Sequence, residues 1–106
     1  MKRILYAGGS FLTGDGIADA VLDYAAELAN AGKAAKIDVP TLDLEQRQER
    51  VSLLVGPASQ ILAEPISVGQ EIEDESFTAQ LRRRTRVLQS KSGTGESGDS
   101  SAFAKP

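Results

Sequence analysis

The stretch AGGSFLTGDG, residues 7–16, has the glycine spacing of a phosphate-binding loop. Gly9 and Gly14 are separated by four residues, as in the Walker A motif, in which Lys and then Ser or Thr follow the second glycine. In this chain the next residues are Asp15 and Gly16. A carboxylate in place of the lysine repels a phosphate by about 1 kcal/mol at about 4 Å in water. The motif therefore does not predict a nucleoside triphosphate site.

A dinucleotide-binding loop is not supported either, because Gly14-x-Gly16 is followed by Asp19 where the third glycine belongs. Two interpretations of the loop stay open. It is a strand-to-helix turn in which glycines take unusual backbone angles and Asp15 or Thr13 caps the helix. Alternatively, the free amides at the helix start bind a small anion, as helix N-termini do. The ligand-binding residues would then be Gly9, Ser10, Thr13 and Gly14.

Side chains suited to catalysis are few. The chain has no histidine and no cysteine, which removes the common general base, the thiol nucleophile and the usual ligands of zinc, iron and copper. Ser10 or Thr13 beside a lysine or carboxylate is the remaining nucleophilic pairing. A non-enzymatic protein is favoured, and no catalytic residue, metal site or cofactor is predicted.

Four acids spaced four residues apart form an acidic ridge, which consists of Asp15, Asp19, Asp23 and Glu27. On a helix these like charges cost about 0.2–0.5 kcal/mol per neighbouring pair. The ridge is interpreted as a solvated surface, as a surface that meets a basic one, or as a cation site. The cation interpretation is disfavoured because a straight row of carboxylates does not converge on an ion.

The matching basic surface is an arginine run, which consists of Arg82, Arg83, Arg84 and Arg86. Pairing of the acidic ridge with the arginine run, within one chain or between two, predicts a protein partner or self-association. Nucleic-acid binding by the arginine run is an alternative. It is disfavoured by the net charge of −3, by four acids just upstream, and by the lack of interleaved aromatic residues.

The length of 106 residues, with 41% hydrophobic and 25% charged residues, is typical of a single globular domain. The apolar run ILYA, residues 4–7, is too short for a signal sequence or a membrane span. We therefore expect a cytoplasmic protein without a membrane segment. The domain should cover residues 1–89, and the Gly/Ser-rich residues 90–106 should form a disordered tail.

Apolar spacing predicts the secondary structure. Residues 4–7 are a strand, residues from Asp15 to a C-cap at Gly32 are a helix, and residues 35–39 are a second strand parallel to the first. Residues 50–55 and 60–68 flank the turn GPAS and predict a hairpin, although DLEQRQERVSLL, residues 43–54, also reads as a helix.

A last helix is expected over residues 74–89, with an apolar stripe of Phe77, Leu81, Val87 and Leu88. Acids lie at its start and arginines at its end, as the helix dipole favours. The expected fold is α/β (α+β), a small mixed sheet in the order β-α-β-β-β-α with both helices on one face.

The segments YAGGSFLTGDGIADAVLDYAAELA and LLVGPASQILAEP resemble uncharacterised small proteins of actinomycete bacteria over about residues 4–88. The resemblance implies a bacterial protein in which both segments belong to one domain type. It implies no function. The residues alone predict a small non-enzymatic interaction or regulatory module, including self-association, with anion or nucleic-acid binding as alternatives.

Overall fold

The computed structural model describes residues 1–67 and 70–94. These residues form a five-stranded sheet and two helices, which confirms the α+β fold class. The elements in chain order are β1 (Lys2–Tyr6), β2 (Gly9–Thr13), α1 (Asp15–Ala31), β3 (Ala35–Leu42), β4 (Gln48–Val55), β5 (Ile61–Pro65) and α2 (Glu75–Thr94). The order therefore contains one strand, β2, that was not expected.

The glycine-rich loop is a tight β-hairpin. β1 and β2 pair in antiparallel register from Lys2↔Thr13 to Tyr6↔Gly9. Only Ala7 and Gly8 form the turn, and both have positive φ, 53° and 83°. Positive φ at both central residues matches the twist of a two-residue hairpin, and glycine adopts it without strain. Gly8 thus turns the chain, whereas Gly9 is already in a strand.

The sheet order is β4-β3-β2-β1-β5, and all four pairings are antiparallel. The expected parallel pairing of the first strand with residues 35–39 is wrong, because β2 lies between β1 and β3. The strand interpretation of residues 50–55 is confirmed. Its expected hairpin partner is wrong, since β4 pairs with β3 from Ala35↔Val55 to Leu42↔Gln48, while β5 pairs with β1.

The turn at GPAS is confirmed, because the Ser59 amide donates to the Gly56 carbonyl at 3.0 Å. It connects the two outer strands of the sheet. The strand expected over residues 60–68 ends at Pro65, and residues 68 and 69 lie outside the described part of the chain.

Both helices cover one face of the sheet, as expected. The α1 residues Ile17, Val21, Tyr24 and Leu28 are buried against Ile37, Val39, Leu53 and Val55 of the β3–β4 hairpin. Gly32 ends α1 with φ 66°, and its amide donates to the Ala29 carbonyl, which confirms the predicted C-cap. The hydrophobic spacing thus places α1 correctly at both ends.

The apolar stripe of α2 differs in one position from the expected one. Leu81 is buried, and Phe77 and Leu88 are partly buried against the core, but Val87 is 53% exposed. Thr85 is buried instead, because residues four apart share a helix face, and its hydroxyl donates to the Leu81 carbonyl at 2.8 Å. Val87 therefore belongs to the outer surface of α2.

The helix α2 extends to Thr94, beyond the predicted end at residue 89. The rest of the tail that was expected to be disordered, residues 95–106, lies outside the described part of the chain. None of the helices in the described residues is long and apolar enough to span a membrane.

Candidate functional site

The four residues predicted to bind a ligand do not come together. Thr13 is fully buried, and its hydroxyl donates to the Pro40 carbonyl at 2.7 Å. Ser10 is exposed, and it lies three positions from Thr13 in the same strand, so the two side chains are on opposite faces of the sheet. Gly9 pairs with Tyr6 in the hairpin. The side chains of Ser10 and Thr13 therefore do not converge on one ligand, and anion binding by these residues stays a prediction.

Self-capping of α1 by Asp15 or Thr13, expected from the sequence, is wrong. The N-cap residue is Gly14, and no side chain of the loop caps the helix. The Asp15 amide donates instead to Glu71 Oε2 at 2.6 Å, across 56 positions of the chain. A carboxylate is favoured at this position because the first amides of a helix lack partners and the dipole is positive there. The anion at the start of α1 is thus a side chain of the protein itself.

The same carboxylate belongs to a small charge cluster. The Met1 ammonium group donates to Glu71 Oε1 at 2.8 Å and lies 2.9 Å from Asp15 Oδ1. The hydrogen bond from this ammonium lowers the pKa of Asp15. The hydrogen bonds to Glu71 and Asp15 raise the pKa of the ammonium group. Two acids therefore share one cation at the start of α1, and their contacts with it favour the charged forms of Asp15 and of the ammonium group.

Gly14 lets the segment before α2 approach the loop closely. A Cβ atom at this position would lie 1.9 Å from the Ile72 carbonyl oxygen and 3.0 Å from Glu71 Oε2. Ile72 is itself buried in the core. This contact brings Glu71 to the Asp15 amide, and it fixes the start of α1 against the start of α2.

A cleft of about 540 Å³ opens beside this contact, between the start of α1 and the outer face of α2. We call it the α2 cleft. Gly16, Ile17 and the segment 71–74 form one wall. The other wall is a set of α2 residues that we call the α2 stripe, namely Glu75, Thr78, Ala79, Arg82, Arg83 and Arg86. Their spacing of three, one, three, one and three residues defines a single face of a helix.

Several charges around the α2 cleft are already paired. Arg82 Nη1 lies 3.0 Å from Asp23 Oδ2. Asp74 Oδ1 accepts from the Phe77 amide at 3.0 Å, which caps α2, and Asp74 Oδ2 lies 3.3 Å from Arg50 Nη2. These contacts hold the two helices and the sheet together.

Four other charged residues line the α2 cleft, namely Glu73, Glu75, Arg83 and Arg86. Among the side chains of residues 1–67 and 70–90, no ion pair involves Glu73, Glu75, Arg83 or Arg86. All four side chains are exposed. The α2 cleft thus has two unpaired acids at one end and two unpaired arginines at the other.

The acidic ridge contacts α2 within the same chain. Besides the pair of Asp23 with Arg82, Glu27 Oε2 accepts from Gln89 Nε2 at 3.3 Å. Because both contacts advance in the same direction along each helix, α1 and α2 run parallel. The acidic ridge therefore meets α2 by an intramolecular contact, one of the alternatives that the sequence left open.

The arginine run divides between two surfaces. Arg82, Arg83 and Arg86 line the α2 cleft, whereas Arg84 lines a separate, smaller pocket beside Lys36 and Asp38. No group of three or more acidic side chains in the described residues is arranged to hold a metal ion. Nucleic-acid binding by the arginine run stays a prediction.

The structure also contains a second cleft, of about 940 Å³, that no sequence pattern predicted. It lies between the Ala7–Gly8 turn and the loop of residues 56–60, and its walls include Leu54 and Leu62, which are 66% and 57% exposed. The Tyr6 hydroxyl donates to the Leu54 carbonyl across it. β1 and β4 are separated by two strands in the sheet, so no local sequence pattern indicates that these residues meet.

Comparison with models of protein families, with curated protein sequences and with solved structures finds no match to this chain.

Proposed function

We propose that this chain is a non-enzymatic cytoplasmic interaction module that binds a protein partner through the α2 cleft. The observation that supports this most is the sorting of unpaired charges, with Glu73 and Glu75 at one end of the α2 cleft and Arg83 and Arg86 at the other. Charges of this kind fix the orientation of a partner and exclude partners with the wrong pattern.

The shape of the α2 cleft suits a helix as the bound element. The α2 stripe presents small side chains, Thr78 and Ala79, between its charged ends. Ile17 and Ile72 lie in the facing wall, but both are buried in the core, so the apolar contact surface is mainly that of Thr78 and Ala79. A helix bound in a groove typically places an apolar face inside and charged residues at the rim. The partner should therefore carry a helix whose charges are sorted in the opposite sense.

Two synthetic helical peptides test this proposal. Each has about twenty residues, long enough to be partly helical in water. One has acids in its first half and lysines in its second, and the other has the same composition with the charges interleaved. Fluorescence anisotropy should show that the sorted peptide binds about tenfold more tightly, a difference of about 1.4 kcal/mol.

The double variant Arg83→Glu/Arg86→Glu should lose this preference. A matched control is Lys33→Glu/Arg84→Glu, which has the same change in net charge at exposed positions outside the α2 cleft. The control should keep the preference. Equal binding of both peptides by the wild-type chain, or an unchanged preference in the Arg83/Arg86 variant, would contradict the proposal.

A second candidate function is the binding of a small anion by Arg83 and Arg86. The volume of the α2 cleft lies within the usual range for small-ligand sites, about 300–1,000 Å³. This site lies beside Gly16 and Ile17, two and three positions after Gly14, the last of the ligand-binding residues predicted from the sequence. A thermal-shift screen with phosphate, sulfate and nucleotides tests it, since a ligand at about 100 times its Kd stabilises by about 2.7 kcal/mol. No shift with any of these anions would reject it.

A further inference from the structure

We propose that the partner bound at the α2 cleft is a second copy of this chain, with its α2 antiparallel to the first across a two-fold axis. This inference rests on the proposed function, in which the α2 cleft binds a charge-sorted helix. The observation that selects a second copy is that α2 itself has such a pattern. Most soluble oligomers are symmetric, and a two-fold interface places the same surface on both copies.

The spacing of the α2 stripe is compatible with this symmetry. When two copies of α2 run antiparallel, position 75 of one lies opposite position 86 of the other, 78 opposite 83, and 79 opposite 82. Each position of the α2 stripe therefore faces another member of the same set. The α2 stripe spans about 16 Å at about 1.5 Å per residue. Its two ends thus meet the opposite ends of the second copy.

The charges favour the antiparallel arrangement over the parallel one. Antiparallel helices place Glu75 of each copy opposite Arg86 of the other, with Glu73 just before the start of α2 and Arg83 about one helical turn from Arg86. A parallel arrangement would place like charges together. Arg82 near the centre is paired with Asp23 within its own chain, which reduces repulsion between its two copies. Two acids and two arginines from each copy then balance across the interface.

The centre of the α2 stripe allows the helices to come close. Ala79 is exposed and has the smallest side chain of the set. The distance between packed helices depends on the side chains at the contact, about 8–10 Å between axes. Gly16 on the facing wall has open space around it, with no atom within 4 Å of a Cβ position. A second α2 can therefore approach Ala79 without displacing either wall.

Sedimentation equilibrium of the full chain tests this inference. The wild-type chain should form a dimer, and its dissociation constant should rise about tenfold or more between 0.1 and 1 M salt. The reason is that the screening length falls from about 10 Å to about 3 Å, and exposed ion pairs weaken accordingly. A chain that is monomeric at all concentrations and both salt levels would overturn the inference.

Two charge-reversal variants make the test specific. Arg83→Glu/Arg86→Glu leaves only acids at the four positions, and Glu73→Lys/Glu75→Lys leaves only bases. Each variant alone should be monomeric, because like charges then face each other. An equimolar mixture of the two should form a heterodimer that is at least as tight as the wild-type dimer. Two monomeric variants that do not associate on mixing, or variants that dimerise like the wild type, would overturn the inference.

Lys33→Glu/Arg84→Glu is the control, and it should dimerise like the wild-type chain. Circular dichroism and thermal melting show whether each variant is folded before its mass is interpreted. The two proposals can fail separately. If the chain is monomeric but still prefers the charge-sorted peptide, the second copy is rejected as partner and the interaction module stands. The peptide and a second copy compete for the α2 cleft, so peptide binding is measured at chain concentrations well below the dimer dissociation constant. If the chain dimerises but its monomer shows no peptide preference that depends on Arg83 and Arg86, the α2 cleft is rejected as the contact surface.

Discussion

Replacement of Gly14 by alanine should strongly destabilise the protein, although it adds only one methyl group. The new Cβ atom would lie 1.9 Å from the Ile72 carbonyl oxygen, whereas ordinary contacts of a Cβ atom begin at 3.4 Å. The distance between these two atoms would have to increase from 1.9 to 3.4 Å, so the backbone of one of the two segments must move by about 1.5 Å. Ile72 is buried, so the segment cannot move outward without exposing apolar surface.

The expected loss has two parts. Overpacking of a tight contact costs about 1–3 kcal/mol. Displacement of Ile72 also moves the adjacent Glu71, whose carboxylate accepts from the Asp15 amide at 2.6 Å, and a hydrogen bond to a charged group contributes about 1.5–3 kcal/mol. Since Glu71 is partly exposed and its bond need not be lost completely, we expect a total of about 3 kcal/mol.

Urea unfolding followed by far-UV circular dichroism measures this loss. The matched control is Gly16→Ala, two positions further along, where a Cβ atom meets no other atom within 4 Å. Gly16 lies in α1, and alanine in a helix is more stable than glycine by about 0.5–1 kcal/mol. The control should therefore be as stable as the wild type or slightly more so. If Gly14→Ala lies within about 0.5 kcal/mol of the wild type, the close contact with Ile72 is not required for folding.

Three further predictions concern other parts of the structure. The Arg47 backbone amide and guanidinium lower the pKa of Asp43, so its charged form stabilises the fold above the unfolded pKa of about 3.9, and this stabilisation is lost as the pH falls through the lower folded value. Asp43→Asn should therefore be less stable than the wild type at neutral pH, with the difference vanishing in acid; a constant difference in urea midpoint from pH 6 to pH 2 would contradict this. Thr13→Val should cost about 1 kcal/mol in urea unfolding, because the Pro40 carbonyl, which is partly buried, loses the hydroxyl of the buried Thr13 as donor, and no loss would mean that this hydrogen bond is energetically neutral. Leu81→Ala should cost about 2–5 kcal/mol, since Leu81 is the α2 residue most deeply buried in the core, and a value below about 1 kcal/mol would show that α2 packs loosely.

Much of α1 was predictable from the sequence, because a helix is specified mainly by residues within a few positions of each other. The spacing of its apolar residues gave the buried face, and Gly32 gave the end. The turn at Gly56–Ser59 and the strand character of residues 50–55 were also predictable, since Gly-Pro pairs and β-branched or aliphatic runs act locally.

The strand partners were not predictable, because pairing depends on contacts between distant parts of the chain. β2 has only five residues and was hidden in a glycine-rich stretch that resembled a phosphate loop. β5 pairs with β1 across about 60 positions, and no local pattern distinguishes this from a hairpin with β4. The antiparallel sheet followed from the two-residue turn at Ala7–Gly8, which brings β2 beside β1 and separates β1 from β3.

For the candidate site, the sequence by itself determined which charges exist and that they are sorted along α2. Only the tertiary structure decided which of them are neutralised. Glu71 is used at the start of α1, Asp74 pairs with Arg50, and Arg82 pairs with Asp23, all through contacts between separate elements. Exposure and pairing depend on the packing of α1 against α2, and the spacing of residues in one helix carries no information about its neighbour. The α2 cleft, with two acids and two arginines left unpaired, is therefore a property of the fold.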